Sequence, residues 1–385
     1  MPSRFPLDPV ALTEALVRID SRNPSLVPGA PGERECAAFL ASVLSGWGFA
    51  VALEEAAPGR PNVIARIGPT GRSPLVLNGH LDVVGTDGML HEPFSAERRD
   101  GSIWGRGASD MKAGIAAMCV AAARASARGS LASEIIIAAV CDEEYESIGT
   151  RALLAGGLRA TGAIVTEPTR MTICPAHKGF AWVEIALHGV AAHGSRYDIG
   201  VDAVRHAGLL LAALDRFESE TLTGRTHPLL GRASLHAATI QGGTGWSTYA
   251  ELCTLHVERR TLPGETAEGV MGEIETILDG LRAQRDSFRA ESSLVCAQPP
   301  LDLALDAPLA RAVIDGARAH GLSGEISGLP CWTDAALFDA AGIPALCFGP
   351  GDIGRAHSAQ EWIECADIER AADVLEHICA AWGRD

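Results

Sequence analysis

EIIIAAVCDEEYESIGTRALLAGGLRATGAIVTEP, residues 134–168, carries an apolar run, a helical segment and a second apolar run in immediate succession. The spacing predicts a strand over 134–141, a helix over 147–156 and a strand over 162–166. Strand and helix alternating in this way imply parallel pairing with the helix crossing over between the strands. Both runs end on acids: Glu143 and Glu144 follow the first, Glu167 the second. In open α/β sheets, ligand sites form just beyond the carboxyl ends of strands. One acidic strand end is ordinary, so the flanking segments determine what these three acids mean.

Working outward, the same rhythm continues in both directions. N-terminally, strands are expected at 61–67 and 74–79, after a helix at 33–47. The second of those strands, LVLNG, delivers His80. The alanine-rich run MKAGIAAMCVAAARA predicts a helix over 110–128 with Asp110 at its mouth. C-terminally the pattern resumes after residue 303: helices at 307–320, 333–341 and 366–382, strands near 324–327 and at 343–348. The strand ALCFGPG shortly precedes His357. The expected class is α/β: a largely parallel sheet with helices on both faces.

Between these halves the rhythm changes. FAWVEIALHGV alternates with period two and puts Val183, Ile185 and Leu187 on one face. A helix at 200–217, strands at 232–241 and 250–259, a helix at 265–283 and a strand at 287–297 complete a β-α-β-β-α-β unit, the ferredoxin-like order. The expected division is therefore 1–178 with 299–385 as one domain and 179–298 as an inserted one. Pro299-Pro300 marks the return crossing.

Bulk composition narrows the function. The chain has 385 residues, 47% hydrophobic and 21% charged, the profile of an ordinary globular protein. A net charge of −16 argues against nucleic acid or an anionic membrane as partner. Apolar stretches are strand-length or broken by charge, so no spanning helix is expected. The first residues lack a signal pattern; Asp8-Pro9 reads as the cap and first residue of a helix. Ten cysteines without a close CxxC pair read as buried thiols of a reducing cytoplasm. Only two lysines occur, Lys112 and Lys178, both beside candidate functional segments. An ammonium is more compact than a guanidinium, which makes these two places candidates for a smaller cation.

The polar strand ends compose a metal site. Hydrolysis near neutral pH needs a hydroxide, and two close divalent ions supply one by lowering the pKa of a bridging water. Three carboxylates and one hydroxide cancel the four positive charges, and neutral imidazoles complete the coordination. Asp110, Glu144, Glu167, His80 and His357 form such a set, its mixed nitrogen and oxygen donors suiting zinc, with cobalt or manganese able to substitute. In GHLD, Asp82 shares a strand face with His80 and is placed to orient its imidazole through the carboxylate. Glu143 adjoins Glu144 but points elsewhere, which makes it the candidate general base.

With these residues in place, the chain resembles the M20 family of metallopeptidases and deacylases, which includes acetylornithine deacetylases and glutamate carboxypeptidases. The resemblance rests on LNGHLDVV, IWGRGASDMKAG, VCDEEYESIGT, VTEPT, GVAAHGS, VERRTLPGE, and FGPG followed by AHSAQE, in family order over nearly the whole chain. It implies His80, Glu144, Glu167 and His357 as terminal metal ligands, Asp110 bridging, Asp82 orienting His80, and Glu143 as base. It also implies a cis peptide after Asp110 and an inserted domain serving as a lid and homodimer surface. His193 matches a lid histidine that donates to the tetrahedral oxyanion, often from the partner subunit. Arg260 matches an arginine that grips a substrate carboxylate, for which a bidentate guanidinium is suited; Arg259, on the opposite strand face, is the fallback.

Three departures bear on the substrate. Glu258 stands where the family often has aspartate, Ser247 where many members have asparagine, and Trp332 where many have glycine. Trp246 and Tyr249 are further pocket candidates, with packing as the rival reading for each. The expected activity is a di-metal amidohydrolase that deacylates an N-acyl amino acid or related small carboxylate. Its rivals are a carboxypeptidase or dipeptidase using the same site, and a catalytically silent metal-binding homologue.

Overall fold

The computed structural model describes residues 5–384, which divide into two compact units. The first takes the chain through Pro175, then Leu303–Ser327 and Thr333 onward; the second holds Ala176–Asp302 and Gly328–Trp332. The crossings thus fall a few residues outside the expected 178/179 and 298/299. Hydrogen bonding explains the difference: His177 and Ala176 pair antiparallel with Leu301 and Asp302. Lys178 donates its backbone N–H to the Leu329 carbonyl, which draws the 328–332 segment into the second unit.

Strands of the main sheet run in the order Ala50–Ala57, Arg60–Ile67, Ile135–Val140, Leu75–His80, Gly162–Val165, Ala345–Cys347, Ile173–His177, and these lie in the first unit except for Ala176 and His177. The central pairings are parallel, joining Leu75–His80 to both Ile135–Val140 and Gly162–Val165, and the latter to Ala345–Cys347. The flanking pairings are antiparallel. Every residue of the four parallel strands is buried, as a sheet covered on both faces requires. Ala50–Ala57 was not anticipated, because an edge strand exposed along most of its length carries no apolar alternation to read. The N-terminal helix, Pro9–Val17, starts where Asp8 Oδ1 accepts the N–H groups of Val10 and Ala11.

The helix Ala113–Ala127 is buried nearly all round and packs against Cys365–Ala381. Two glycines, one on this helix and one in the loop after Ala345–Cys347, pack closely on the turn at Glu167. A Cβ on Gly114 would overlap the Thr166 carbonyl, and one on Gly349 would overlap the carbonyls of both Thr166 and Glu167. The Glu167 turn is therefore closed upon from two sides by backbone that tolerates no side chain.

The second unit is a four-stranded antiparallel sheet in the order Ser234–Gly242, Leu252–Thr261, Gly179–His188, Arg289–Gln298, with helices Ala203–Glu220 and Ala267–Gln284. Val183, Ile185 and Leu187 are buried against Leu210, Leu214, Ile274 and Leu278, in agreement with their period-two spacing. The opposite face, bearing Phe180, Trp182 and Glu184, is only partly covered.

Candidate metal centre

Four strand ends and one turn of the first unit converge. Leu75–His80 ends on His80 itself, Ile135–Val140 leads to Glu143 and Glu144, Gly162–Val165 leads to Glu167, and the loop after Ala345–Cys347 carries His357. Asp110 sits not in the long helix but in a tight turn, Ala108–Lys112, that precedes it. The Asp110–Met111 peptide in that turn is cis. Backbone of this turn is held by Glu361, whose Oε1 accepts the N–H groups of Ser109 at 2.9 Å and Asp110 at 3.0 Å. Glu361 is in turn paired with Arg106 at 2.6 Å.

Asp110 is shared between two clusters. Its Oδ1 lies 3.1 Å from His80 Nε2, and its Oδ2 lies 3.5 Å from His357 Nε2. Around it, ligand atoms of His80, Asp110 and Glu167 come within 4.8 Å of one another, as do those of Asp110, Glu144 and His357. Glu143 belongs to neither group; its Oε2 stands 4.0 Å from His80 Nε2. The five residues expected as ligands are thus together, and the expected base is beside them.

Electrostatics tests whether this set fits a cation pair. Burial, reinforced by the charge of Glu167, pushes the Glu143 carboxyl well above its usual pKa. Burial and Asp110 raise Glu144 and push Glu167 well above its usual value. For His357, hydrogen bonds to Asp110 and Glu144 raise the imidazole to about 10. For His80, burial works against the charged form, but Asp110, Glu143 and Glu167 outweigh it and the pKa rises well above normal. Four carboxylates confronting two imidazoles leave uncompensated negative charge in a buried place, and two divalent ions on these donors would neutralise it. The residues fit the group.

Asp82 acts differently from expectation. His80 Nδ1 meets the Asp82 backbone carbonyl at 2.9 Å, while the carboxylate stays 3.7 Å away. The carboxylate instead accepts the N–H groups of Glu143 and Glu144 at 3.1 and 3.2 Å, so its position sets that turn. Sequence reasoning missed what holds Asp82. Asn23 Nδ2 donates to Asp82 at 2.8 Å and to Asp142 at 3.0 Å, and Arg60 pairs with Asp142 and Glu33. It also missed Asp334, a buried carboxyl that accepts from Thr150 at 2.6 Å and is raised by burial to about 6. These residues come from distant segments with no periodicity linking them, so only their motif neighbours, CDEE and CWTDA, marked the region.

The remaining sequence candidates stand in the second unit. His193 is exposed, with Nδ1 2.8 Å from Ser195 Oγ and a backbone bridge to Thr248. Trp246 is fully exposed and not part of a core, whereas Tyr249 lies against Gly200. Arg260 is half-buried and its Nε donates to Glu258 Oε1 at 2.7 Å. Arg259 is buried and engaged with Glu265 and Glu273, a structural role that removes it as the fallback.

A sequence model of peptidase family M20/M25/M40 matches residues 76–381. An acetylornithine deacetylase of Myxococcus xanthus is 31% identical over 336 residues, covering 85% of this chain and 86% of its own. Among solved structures, an aminopeptidase from Bacillus cereus superposes with a TM-score of 0.80 at 19% identity, covering 98% of this chain and 99% of its own. A Bacillus subtilis protein described as a dinuclear metal binding peptidase gives 0.74 at 16% identity, over 97% and 96% of the two chains.

Proposed function

Because the chain belongs to peptidase family M20/M25/M40, we propose that it is a di-metal amidohydrolase that deacylates an N-acyl amino acid or a related small carboxylate. The observation that carries this reading is the division of Asp110, one oxygen toward His80 and the other toward His357. His80 and Glu167 would hold one ion, Glu144 and His357 the second, and Asp110 both. Zinc suits this donor set, with cobalt or manganese as substitutes. Bound there, the ions supply Lewis acidity toward the scissile carbonyl and lower the pKa of water.

Each chain residue then has a task. Glu143, with a carboxyl raised by burial and by Glu167, takes a proton from the attacking water and returns it to the leaving amine. Asp82 keeps Glu143 in place through its backbone N–H. His193 donates to the developing oxyanion, and Arg260 grips the substrate carboxylate through its guanidinium. Acyl removal, rather than peptide cleavage, is supported by the M. xanthus relative. The second unit serves as lid and homodimer surface; its edge strand Ser234–Gly242 is largely exposed along its free side. A cytoplasmic setting is supported by ten cysteines that all remain thiols.

The test is a panel of acetyl-, formyl- and succinyl-amino acids with dipeptides, assayed on zinc- or cobalt-loaded protein alongside elemental analysis. The expected result is two ions per chain, faster turnover of acyl amino acids than of dipeptides, and loss of both ions in Asp110→Asn. A single ion, or an order of preference favouring dipeptides, overturns the reading.

A further inference from the structure

The open face of the second unit carries an aromatic shelf. Across its strands Arg260 lies opposite Phe180, and Glu258 opposite Trp182. The Arg260 guanidinium stands 5.3 Å over the Phe180 ring. Glu258 clamps both neighbours, accepting from Arg260 Nε at 2.7 Å and from Trp182 Nε1 at 2.8 Å. Phe180 and Trp182 rings are 5.0 Å apart, and Trp332 meets Phe180 edge-on at 6.3 Å. The Trp332 indole donates to the Pro299 carbonyl at 3.0 Å, which fixes its plane. Trp182 is 40% exposed and the other two rings are half-buried. Among the described residues the hydrogen bond of the Arg260 guanidinium runs through Nε, which leaves the donors of its two Nη groups for a ligand.

We propose that Phe180, Trp182 and Trp332 form the subsite for the substrate's side chain, and that this side chain is apolar and preferentially aromatic. A carboxylate held by the Nη groups of Arg260 places its own substituent across rings that Arg260 already adjoins. A neutral ring gains edge and face contacts there, and displaces water from apolar surface. A cationic side chain does not fit equally well. Arg260 already occupies the Phe180 face, and Lys178 shares the neighbourhood, its ammonium lowered by burial and by the charges of Arg232 and Arg260. A further cation would meet like charge. The proposal rests on the amidohydrolase reading only for the bond that is cleaved.

Two measurements separate the two ideas. Calorimetric titration compares 3-phenylpropanoate with 5-aminopentanoate on the intact zinc-loaded protein. Turnover assays compare N-acetylphenylalanine with N-acetylornithine. The aromatic member of each pair is expected to win by about tenfold or more. Trp332→Gly and Phe180→Leu are expected to shrink both ratios, chiefly through Kd and KM; should the first variant not fold, the second carries the comparison. Equal or reversed preference in the unaltered protein overturns the subsite, as does a ratio untouched by the folded variants. Tight phenylpropanoate binding with no turnover of either acyl amino acid upholds the subsite and sinks the amidohydrolase reading.

Discussion

At the scale of single residues, the centre depends on atoms doing two things at once. Asp110 divides its two oxygens between two imidazoles, and Asp82 divides its backbone and carboxylate between His80 and the Glu143-Glu144 turn. Glu143 ligates in neither cluster, so its removal should spare the ions. Glu143→Ala is expected to lower kcat by about 10²–10⁴-fold, with metal content by elemental analysis unchanged; intact turnover refutes the base assignment. The histidines set a pH dependence. His357 is raised to about 10 and His80 is raised as well, so both carry a proton at pH 7 in protein stripped by chelator. Ligation through Nε2 requires that proton to leave, so metal uptake should release protons and tighten as pH rises. Calorimetry in buffers of different ionisation enthalpy reads the release directly, and a buffer-independent heat contradicts it. In the stripped protein the same shift stabilises the fold fully below the ordinary imidazole value near 6.5, and the contribution fades toward 10. The two lysines also resolve: Lys112 Nζ donates to the Leu16 and Ile19 carbonyls and Lys178 Nζ to that of Arg232, places where a compact ammonium is what fits.

Elements bring these residues together through close backbone approach. The helix Ala113–Ala127 can lie against the Glu167 turn only because Gly114 has no side chain to meet the Thr166 carbonyl. Asp110 is three residues before that helix, so its separation from Glu167 follows from this contact. Gly114→Ala is accordingly expected to cost about 1–3 kcal/mol of stability and to weaken metal binding in a chelator competition. A variant with unchanged unfolding and metal affinity shows that the contact does not set the site. The turn after Ile135–Val140 is held differently, by polar atoms: Asn23 bridges Asp82 and Asp142, while the Arg60 guanidinium pairs with Glu33 and Asp142. A buried cluster with this excess of acid is costly unless every oxygen is met, which explains why an amide and an arginine converge on it.

For the whole molecule, the two units have separate hydrophobic cores, and every proposed ligand lies in the first. Ion binding should therefore stabilise that unit by mass action, by about 2.7 kcal/mol at free metal near a hundred times Kd. In scanning calorimetry this corresponds to a rise of roughly 5–10 °C in the unfolding of the first unit, reversed by chelator. A Tm indifferent to zinc contradicts the proposed centre. The net charge of −16 is consistent with a site lined by carboxylates and with small-molecule rather than nucleic-acid chemistry.

Periodicity and strand-end chemistry determined the α/β class, the inserted β-α-β-β-α-β unit and the four residues, His80, Glu144, Glu167 and His357, that gather around Asp110, because each depends on local pattern or on a motif read in order. What the chain could not reveal locally was decided by tertiary contact. The pairing of Ala176–His177 with Leu301–Asp302 moved the division between units, and the register opposing Arg260 to Phe180 separated it from the buried Arg259. Asn23, Arg60, Glu361 and Asp334 were invisible for the same reason. Their roles come from meeting groups far away in sequence, and a hydrogen bond across such a distance leaves no spacing by which to read it.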